Sequence, residues 1–328
     1  MEIPTELPAE TPTVAAIYAA YEAEHEHYDS LGISVGDIGN ECDRALWYDL
    51  RWVSEPEHFD GRLLRLFDTG NREEVRLVED LERIGVEVFG QQDRIRQVGN
   101  HVRGKCDGKG LGIPEAPKTV HLLEFKSTNA KGMKELQKHD PRKMDDKGKA
   151  GAGIRVSKPQ HFGQCQLGMH EFGLTRALYL AACKDTDTLY AERVEYDAEW
   201  CLRTLARAER IINSPNQPPR LSDNPDFFKC RFCRHHTVCH EGAMPRVSCR
   251  TCIHSTPEMH GDAAWSCARW TKPLGVQEQK DACPAHLFVT ALVPGELLEV
   301  DEEEEWIEYR LRDGTLWRDG ATESKHAA

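Results

Sequence analysis

The chain has 328 residues, enough for one large core or two modest domains. It is 39% hydrophobic and 30% charged, and no stretch approaches the roughly 20 apolar residues of a membrane-spanning helix. A net charge of −13 argues against a simple nucleic-acid-coating protein, which would be basic. The opening run MEIPTELPAETPTV lacks the basic-then-apolar order of a signal peptide, so a cytoplasmic location is expected.

Taken in order, residues 11–29 read as a helix, with Thr11 as cap and Pro12 at the first position. Residues 36–50 read as a second, amphipathic helix carrying Cys42. Residues 70–84 form a third, with apolar Val75, Leu77, Val78, Leu81 and Ile84. The period then changes. Residues 86–90, 93–98 and 101–108 are short alternating strands, and 120–127, VHLLEFKS, is a stronger one. Residues 128–158 are rich in Gly, Lys, Asp and Pro and read as a mobile loop. A helix over 159–173, two strands over 177–184 and 188–196, and a helix over 197–213 follow. Residues 244–288 are too poor in apolar side chains to fold without a staple. Residues 306–320 read as a β-hairpin around Asp313-Gly314. The phosphate-loop pattern GxxxxGK[ST] does not occur, so no motor domain is expected.

Charge is unevenly spread. Between Lys126 and Lys158 there are ten Lys or Arg against four Asp or Glu. A basic segment of this kind can contact phosphates even in an acidic protein. Between Glu296 and Glu308 there are eight acids and no base, and the acidic run 299–305 reads as a solvated tail.

Residues 101–126 carry the most chemical information. Asp107 closes one strand-like segment, and Glu124 and Lys126 follow on the next strand. Two residues apart, Glu124 and Lys126 leave one face, while Leu123 and Phe125 leave the other. If the strand bearing Asp107 pairs with this one, two carboxylates can share a Mg²⁺ or Mn²⁺ ion through oxygen, with an ammonium beside it. Glu-x-Lys on a strand is by itself more often a solvated pair. The upstream aspartate makes the set specific.

The order of helix, hairpin with Asp107, strand with Glu124-Phe125-Lys126, then helix with Gln164 resembles the PD-(D/E)xK nuclease superfamily over roughly residues 30–240. More narrowly it resembles RecB-type nuclease domains, including iron–sulfur nucleases and phage recombination exonucleases. The resemblance implies an α/β fold with a restriction-endonuclease-like core, a mixed central sheet flanked by helices. The family's first acidic or histidine motif falls on Thr69–Glu74. Relatives often carry His near Asn71, so the resemblance implies Glu74 as an extra metal ligand, against the plain reading of a surface helix residue. The family's late glutamine matches Gln164 best, with Gln160 and Gln166 as alternatives. Its following tyrosine is replaced by Gly168. His101 and His161 are further candidates near the centre.

Twelve cysteines are many for a chain expected in a reducing compartment, where metal ligation is the commoner use. Cys230, Cys233 and Cys239 can grip one metal group, and Cys42 or a histidine, His235 or His236, can complete it. The resemblance implies a 4Fe–4S cluster on Cys42, Cys230, Cys233 and Cys239, and spacing also allows Zn²⁺. Cys249, Cys252, Cys267 and Cys283, with His254, His260 and His286 nearby, have the look of a structural Zn²⁺ site in a cysteine-rich C-terminal metal-binding module. Cys106, Cys165, Cys183 and Cys201 read as small buried hydrophobes. The expected organisation is a nuclease domain over 1–240, a zinc-ribbon-like module over 241–295, and an acidic tail with hairpin over 296–328.

The expected function is a metal-dependent DNA exonuclease. The resemblance implies phage or prophage recombination beside a single-strand annealing protein as its setting. The rival is a non-catalytic DNA-binding or assembly protein on a decayed nuclease fold.

Overall fold

Helix α1 (Pro12–Glu24) begins where the Thr11 hydroxyl accepts the Val14 amide proton. It stops short of the expected residue 29. The computed structural model describes residues 11–26, 29–144 and 148–320. Most of the opening run read for a signal peptide, the end of the expected first helix at 27–28, residues 145–147 of the expected loop, and residues 321–328 lie outside these.

After a two-residue strand β1 (Ile33–Ser34) the chain turns instead of entering a helix at 36. The Asp37 amide bonds Ser34 O and the Asn40 amide bonds Asp37 O. Asn40 Oδ1 then accepts from the Cys42 amide. Helix α2 (Asp43–Leu50) therefore starts seven residues late, because local side-chain and turn bonds outcompete the helix. Helix α3 (Gly61–Arg83) starts nine residues early, since Asp60 caps it through the Leu63 amide at 2.7 Å.

Strands β2 (Glu87–Phe89), β3 (Arg94–Gln97), β4 (Val102–Lys105), β5 (Gly108–Leu111) and β6 (His121–Thr128) follow. The segment expected to be a mobile loop instead carries helix α4 (Ala130–Lys138), capped by Asn129 and seated through buried Met133 and Leu136, and a short helix α5 (Ile154–Ser157). The sequence reading missed α4 because Gly132 and three lysines mask a two-residue apolar anchor. Helix α6 (Pro159–Phe172), strands β7 (Arg176–Cys183) and β8 (Leu189–Glu195) and helix α7 (Ala198–Ile212) complete the mixed α/β core.

The main sheet has the order β2-β5-β6-β7-β8, with β6 and β7 parallel and the other pairs antiparallel. Leu123 and Phe125 join Leu77, Val78 and Leu81 of α3 in one buried layer. On the other face Leu122 packs under α6. A second small sheet pairs β1, β4 and β3.

After the short helix α8 (Phe228–Arg231), strands β9 (Ser255–Pro257), β10 (Trp265–Cys267) and β11 (Lys272–Leu274) form a meander, followed by helix α9 (Val276–Asp281). Trp265 and Leu274 belong to the same buried cluster as Leu46 and Trp47 of α2. Arg250 anchors this segment. Its guanidinium donates to Gln279 Oε1, Leu50 O and Leu31 O and lies over the rings of Trp52 and Trp265.

The final strands β12 (Gly295–Asp301), β13 (Trp306–Leu311) and β14 (Leu316–Asp319) form another meander, with the expected hairpin turn at Asp313-Gly314. The acidic run 299–305 is solvated as expected but built into a sheet: Glu299 and Asp301 of β12 pair with Glu308 and Trp306 of β13, and Asp301 Oδ1 accepts the Glu303 and Glu304 amides in the turn between the strands. Among the described residues no helix is long and apolar enough to cross a membrane.

Candidate active site

Alternation along β6 puts Leu122, Glu124 and Lys126 on the α6 face and Leu123 and Phe125 on the α3 face. In the β5–β6 register Gly108 faces Leu123. Asp107 lies just before that pair, in the bend between β4 and β5, so the expected strand over 101–108 is broken there. Asp107 Oδ2 accepts the Phe125 amide proton at 2.6 Å. Lys126 Nζ donates to Glu124 Oε1. The structure thus brings Asp107, Glu124 and Lys126 together.

Glu124 is only 2% exposed. Burial pushes its carboxyl up to about 7, with Lys126 pulling it down and Asp107 and Glu74 pushing it further up. Burial also raises Asp107, against the pull of Lys126 and the Phe125 amide. For Lys126 burial alone would lower the pKa, but Glu124 and Asp107 outweigh it, so the ammonium holds its proton more tightly than usual. Glu74 comes from α3. Its pKa is raised by burial and then by the Asp107 charge, and its carboxylate accepts from Gln92 Nε2 at 2.9 Å. Glu74 is half-buried on α3, and its carboxylate lies near enough to feel the charges of Asp107 and Lys126.

Three carboxylates and one ammonium leave net negative charge in a poorly solvated site, which a divalent cation would relieve. The oxygen donors suit a hard ion. As they stand, Asp107 is engaged by a backbone amide and Glu124 by Lys126. Among the described residues no three His, Cys, Asp or Glu groups are already drawn into a metal-binding cage.

Helix α6 roofs the centre. His161, Gln164 and Cys165 share one of its faces. His161 Nδ1 and the Tyr179 hydroxyl share a 2.9 Å hydrogen bond. Burial, then the charges of Lys126 and Lys158, lower His161 to about 3, so its ring is neutral. The side-chain amide of Gln164 packs beside Gly36. Gln166 is not available to the site: it is fully buried, donating to Glu195 O and accepting from the Asp197 amide. Gln160 is exposed at the start of the helix. The missing tyrosine has a steric reason, since a Cβ on Gly168 would lie 2.5 Å from Leu122 Cδ2. A phenol enters from β7 instead, for Tyr179 faces Glu124 in the parallel register. The sequence reading missed Tyr179, because its place depends on the β6–β7 pairing. His101 lies elsewhere, buried, its Nε2 2.9 Å from Glu258 O.

Two sets of free thiols gather outside this centre. Cys42, Cys230, Cys233 and Cys239 line one hollow between the start of α2 and the α8 region. Burial, and after it mutual repulsion among the set, raises Cys230, and Cys233 is raised the same way with Cys42 and Cys239 beside it. His235 does not join as a fourth ligand: its ring bonds Ser54 Oγ and Asp49 Oδ1. His236 bonds Cys230 O through Nδ1. Cys249, Cys252, Cys267 and Cys283 line a second hollow with His254 and His286. Burial first, then the other three thiols, pushes Cys249 up to about 12. Cys230, Cys249, Cys252 and Cys267 are buried and Cys42, Cys233, Cys239 and Cys283 half-buried, and among the described residues neither set is drawn into a cage that could hold a metal ion. His260 is absent from this hollow and lies beside Glu258. Cys106, Cys165, Cys183 and Cys201 are buried as expected.

No family model matches the chain, and no curated protein sequence does. Among solved structures the chain is similar to the protein SSO0001, at 14% identity and a TM-score of 0.41, covering 68% of this chain and 94% of that one. It is also similar to the alkaline exonuclease LHK-Exo from Laribacter hongkongensis, at 13% identity and a TM-score of 0.38, covering 60% and 89%. The same exonuclease in complex with dAMP gives 14% identity and a TM-score of 0.39 over the same shares.

Proposed function

We propose that the chain is a divalent-metal-dependent DNA nuclease acting on the ends of linear DNA. The observation that carries this reading is the convergence of Asp107, Glu124 and Lys126 on one face of the sheet, with the Glu74 charge beside them. Asp107 and Glu124, supported by Glu74, would hold Mg²⁺ or Mn²⁺ through oxygen. Such an ion, when bound, polarises a phosphoryl oxygen and acidifies water. Lys126 keeps its proton and sets a fixed positive charge where negative charge builds on the attacked phosphate. Lys131, Lys134 and Lys138, spaced along one side of α4 and exposed, would hold flanking phosphates. Gln164 and the neutral His161 line the roof.

In the same reading Cys42, Cys230, Cys233 and Cys239 hold a 4Fe–4S cluster that ties α2 to the segment after α7, and Cys249, Cys252, Cys267 and Cys283 hold a structural Zn²⁺ ion. Residues 1–240 act as the nuclease unit, 241–295 as its metal-stapled support and 296–328 as the acidic tail with its hairpin. The resemblance to phage recombination exonucleases proposes a single-strand annealing protein as partner.

End-labelled linear DNA with Mg²⁺ or Mn²⁺ tests the central claim. Wild-type protein should shorten it and Glu124→Ala should not. If both proteins bind DNA and neither degrades it, the non-catalytic rival replaces the enzyme. Metal analysis of the same preparation tests the thiol sites, with iron and zinc both expected.

A further inference from the structure

Away from the carboxylates, two adjoining hollows of about 280 and about 640 Å³ form one groove. Asp37, Asp49, Glu57 and Arg234 line both. At one end Phe232 is 82% exposed, with the Arg231 guanidinium 5.7 Å from its ring centre. Phe232 sits between Cys230 and Cys233, on a turn that the thiol set would fix in place. At the other end Phe67 is 45% exposed and meets Phe59 edge-on at 5.2 Å. Large apolar rings are not left in water at both ends of a polar groove to stabilise the fold.

None of Glu74, Asp107, Glu124 and Lys126 lines the groove, but the elements that carry the proposed active site also border it. Pro159 and Gln160, at the start of α6, line it near Phe232, and Ser34 lines it on the Phe67 side. Ser34 is two residues from Gly36, which packs beside the Gln164 amide. Phe67 and Glu74 lie on the same helix seven residues apart, a rise of about 10 Å.

We propose that this groove takes the unpaired bases of a single strand of DNA, with Phe232 and Phe67 as stacking surfaces at its two ends. The inference rests on the nuclease reading for its choice of nucleic acid. Charge decides which part of the strand enters. Arg234 is already paired with Asp49 at 2.9 Å, so Asp37 and Glu57 leave the floor acidic. An acidic floor repels phosphates, yet carboxylates accept hydrogen bonds from the exocyclic amines of adenine, cytosine and guanine. Every base also has a face that can stack on an aromatic ring. A duplex keeps those faces covered, so the groove selects the unpaired strand. The backbone then runs along the outer edge, where Arg231 stands.

The test uses the full chain without added divalent cation, so that no cleavage occurs. The probe is a short single strand carrying 2-aminopurine, whose fluorescence falls on stacking. Wild-type protein should quench it and prefer it to the blunt duplex of the same sequence. The double variant Phe232→Ala, Phe67→Ala should bind at least about tenfold more weakly, since each stacked base contributes a factor of this order. Both rings are exposed, so the fold should persist, and an unchanged melting temperature verifies it. On a strand with abasic sites throughout, wild type and variant should bind alike. Equal binding of the 2-aminopurine strand by both proteins, absence of quenching, or no binding of single strands overturns the proposal. The two readings separate cleanly. A protein that quenches the probe but cleaves nothing with Mg²⁺ loses the nuclease reading and keeps this one. A protein that cleaves, and whose double variant binds like wild type, does the reverse.

Discussion

In the proposed nuclease, Lys126 is the residue on which the chemistry would turn. Lys126 is half-buried, and burial of a lysine penalises its charged form. Here Glu124 and Asp107 reverse that tendency, so the site keeps a permanent cation. Lys126→Ala should therefore lower the cleavage rate by about 100-fold or more, the scale of losing one fixed stabilising group. Binding of uncleaved DNA should change little, because one charge among many contributes modestly to phosphate attraction. Single-turnover cleavage beside equilibrium binding checks both halves. A variant that cleaves at the wild-type rate removes Lys126 from the mechanism. Glu124 and Lys126 were legible as a pair because alternation along one strand fixes which side chains share a face, whereas Asp107 joined them only on the added expectation that its strand pairs with theirs. Tyr179 was not, since its position across from Glu124 follows from a parallel pairing between strands separated by a long crossover. Gly168 was legible as a departure from the family pattern, while its cause, the closeness of Leu122, is tertiary.

At the scale of elements, long periodic helices and the hairpin strands were readable, and the boundaries moved where local bonds intervened. Asn40 delayed α2 and Asp60 advanced α3. The docking of the cysteine-rich segment was not readable, because it rests on contacts between distant parts of the chain: Trp265 and Leu274 with the α2 core, buried Arg250 with Leu50 and Leu31, and buried His101 with Glu258. His101 precedes β4, and its Nε2–H donates to Glu258 O beside β9. Burial lowers its pKa from 6.5, and the charges of Arg250 and Arg103 act in the same direction, against the bond to Glu258. The neutral ring is thus favoured in the folded state. The unfolded chain takes up a proton near 6.5 and the folded one at lower pH, so the unfolded state binds more protons in that window. The contribution of His101 is fully present above about pH 6.5 and is lost as pH falls below it. Thermal melting between pH 8 and pH 5 should show wild type losing stability faster than His101→Gln, whose amide can still donate to Glu258 O without titrating. Parallel slopes for the two proteins would remove this histidine from the acid response.

For the whole molecule, the proposed function requires a chain of net charge −13 to hold a polyanion. The acids are not spread evenly. Eight of them lie between Glu296 and Glu308 on the terminal meander, and the basic segment follows directly from β6. This segregation was visible in the sequence. What was not visible is that α4 orders the basic segment, so Lys131, Lys134 and Lys138 form a row at helical spacing rather than a diffuse cloud. A fixed row makes a quantitative prediction. Each lysine that neutralises a phosphate releases counterions, and the logarithm of the binding constant then falls against the logarithm of salt by about 0.7 for each contact on a single strand. Replacing all three lysines by alanine should weaken binding of a single-stranded oligonucleotide and flatten that slope by about 2. Substituting three equally exposed bases of the terminal meander, Arg310, Arg312 and Arg318, should leave the slope unchanged, because the acids around them hold phosphates away. Titrations between 50 and 200 mM salt decide the matter. An unaltered slope in the α4 variant would place the strand on another face and detach the lysine row from the active site.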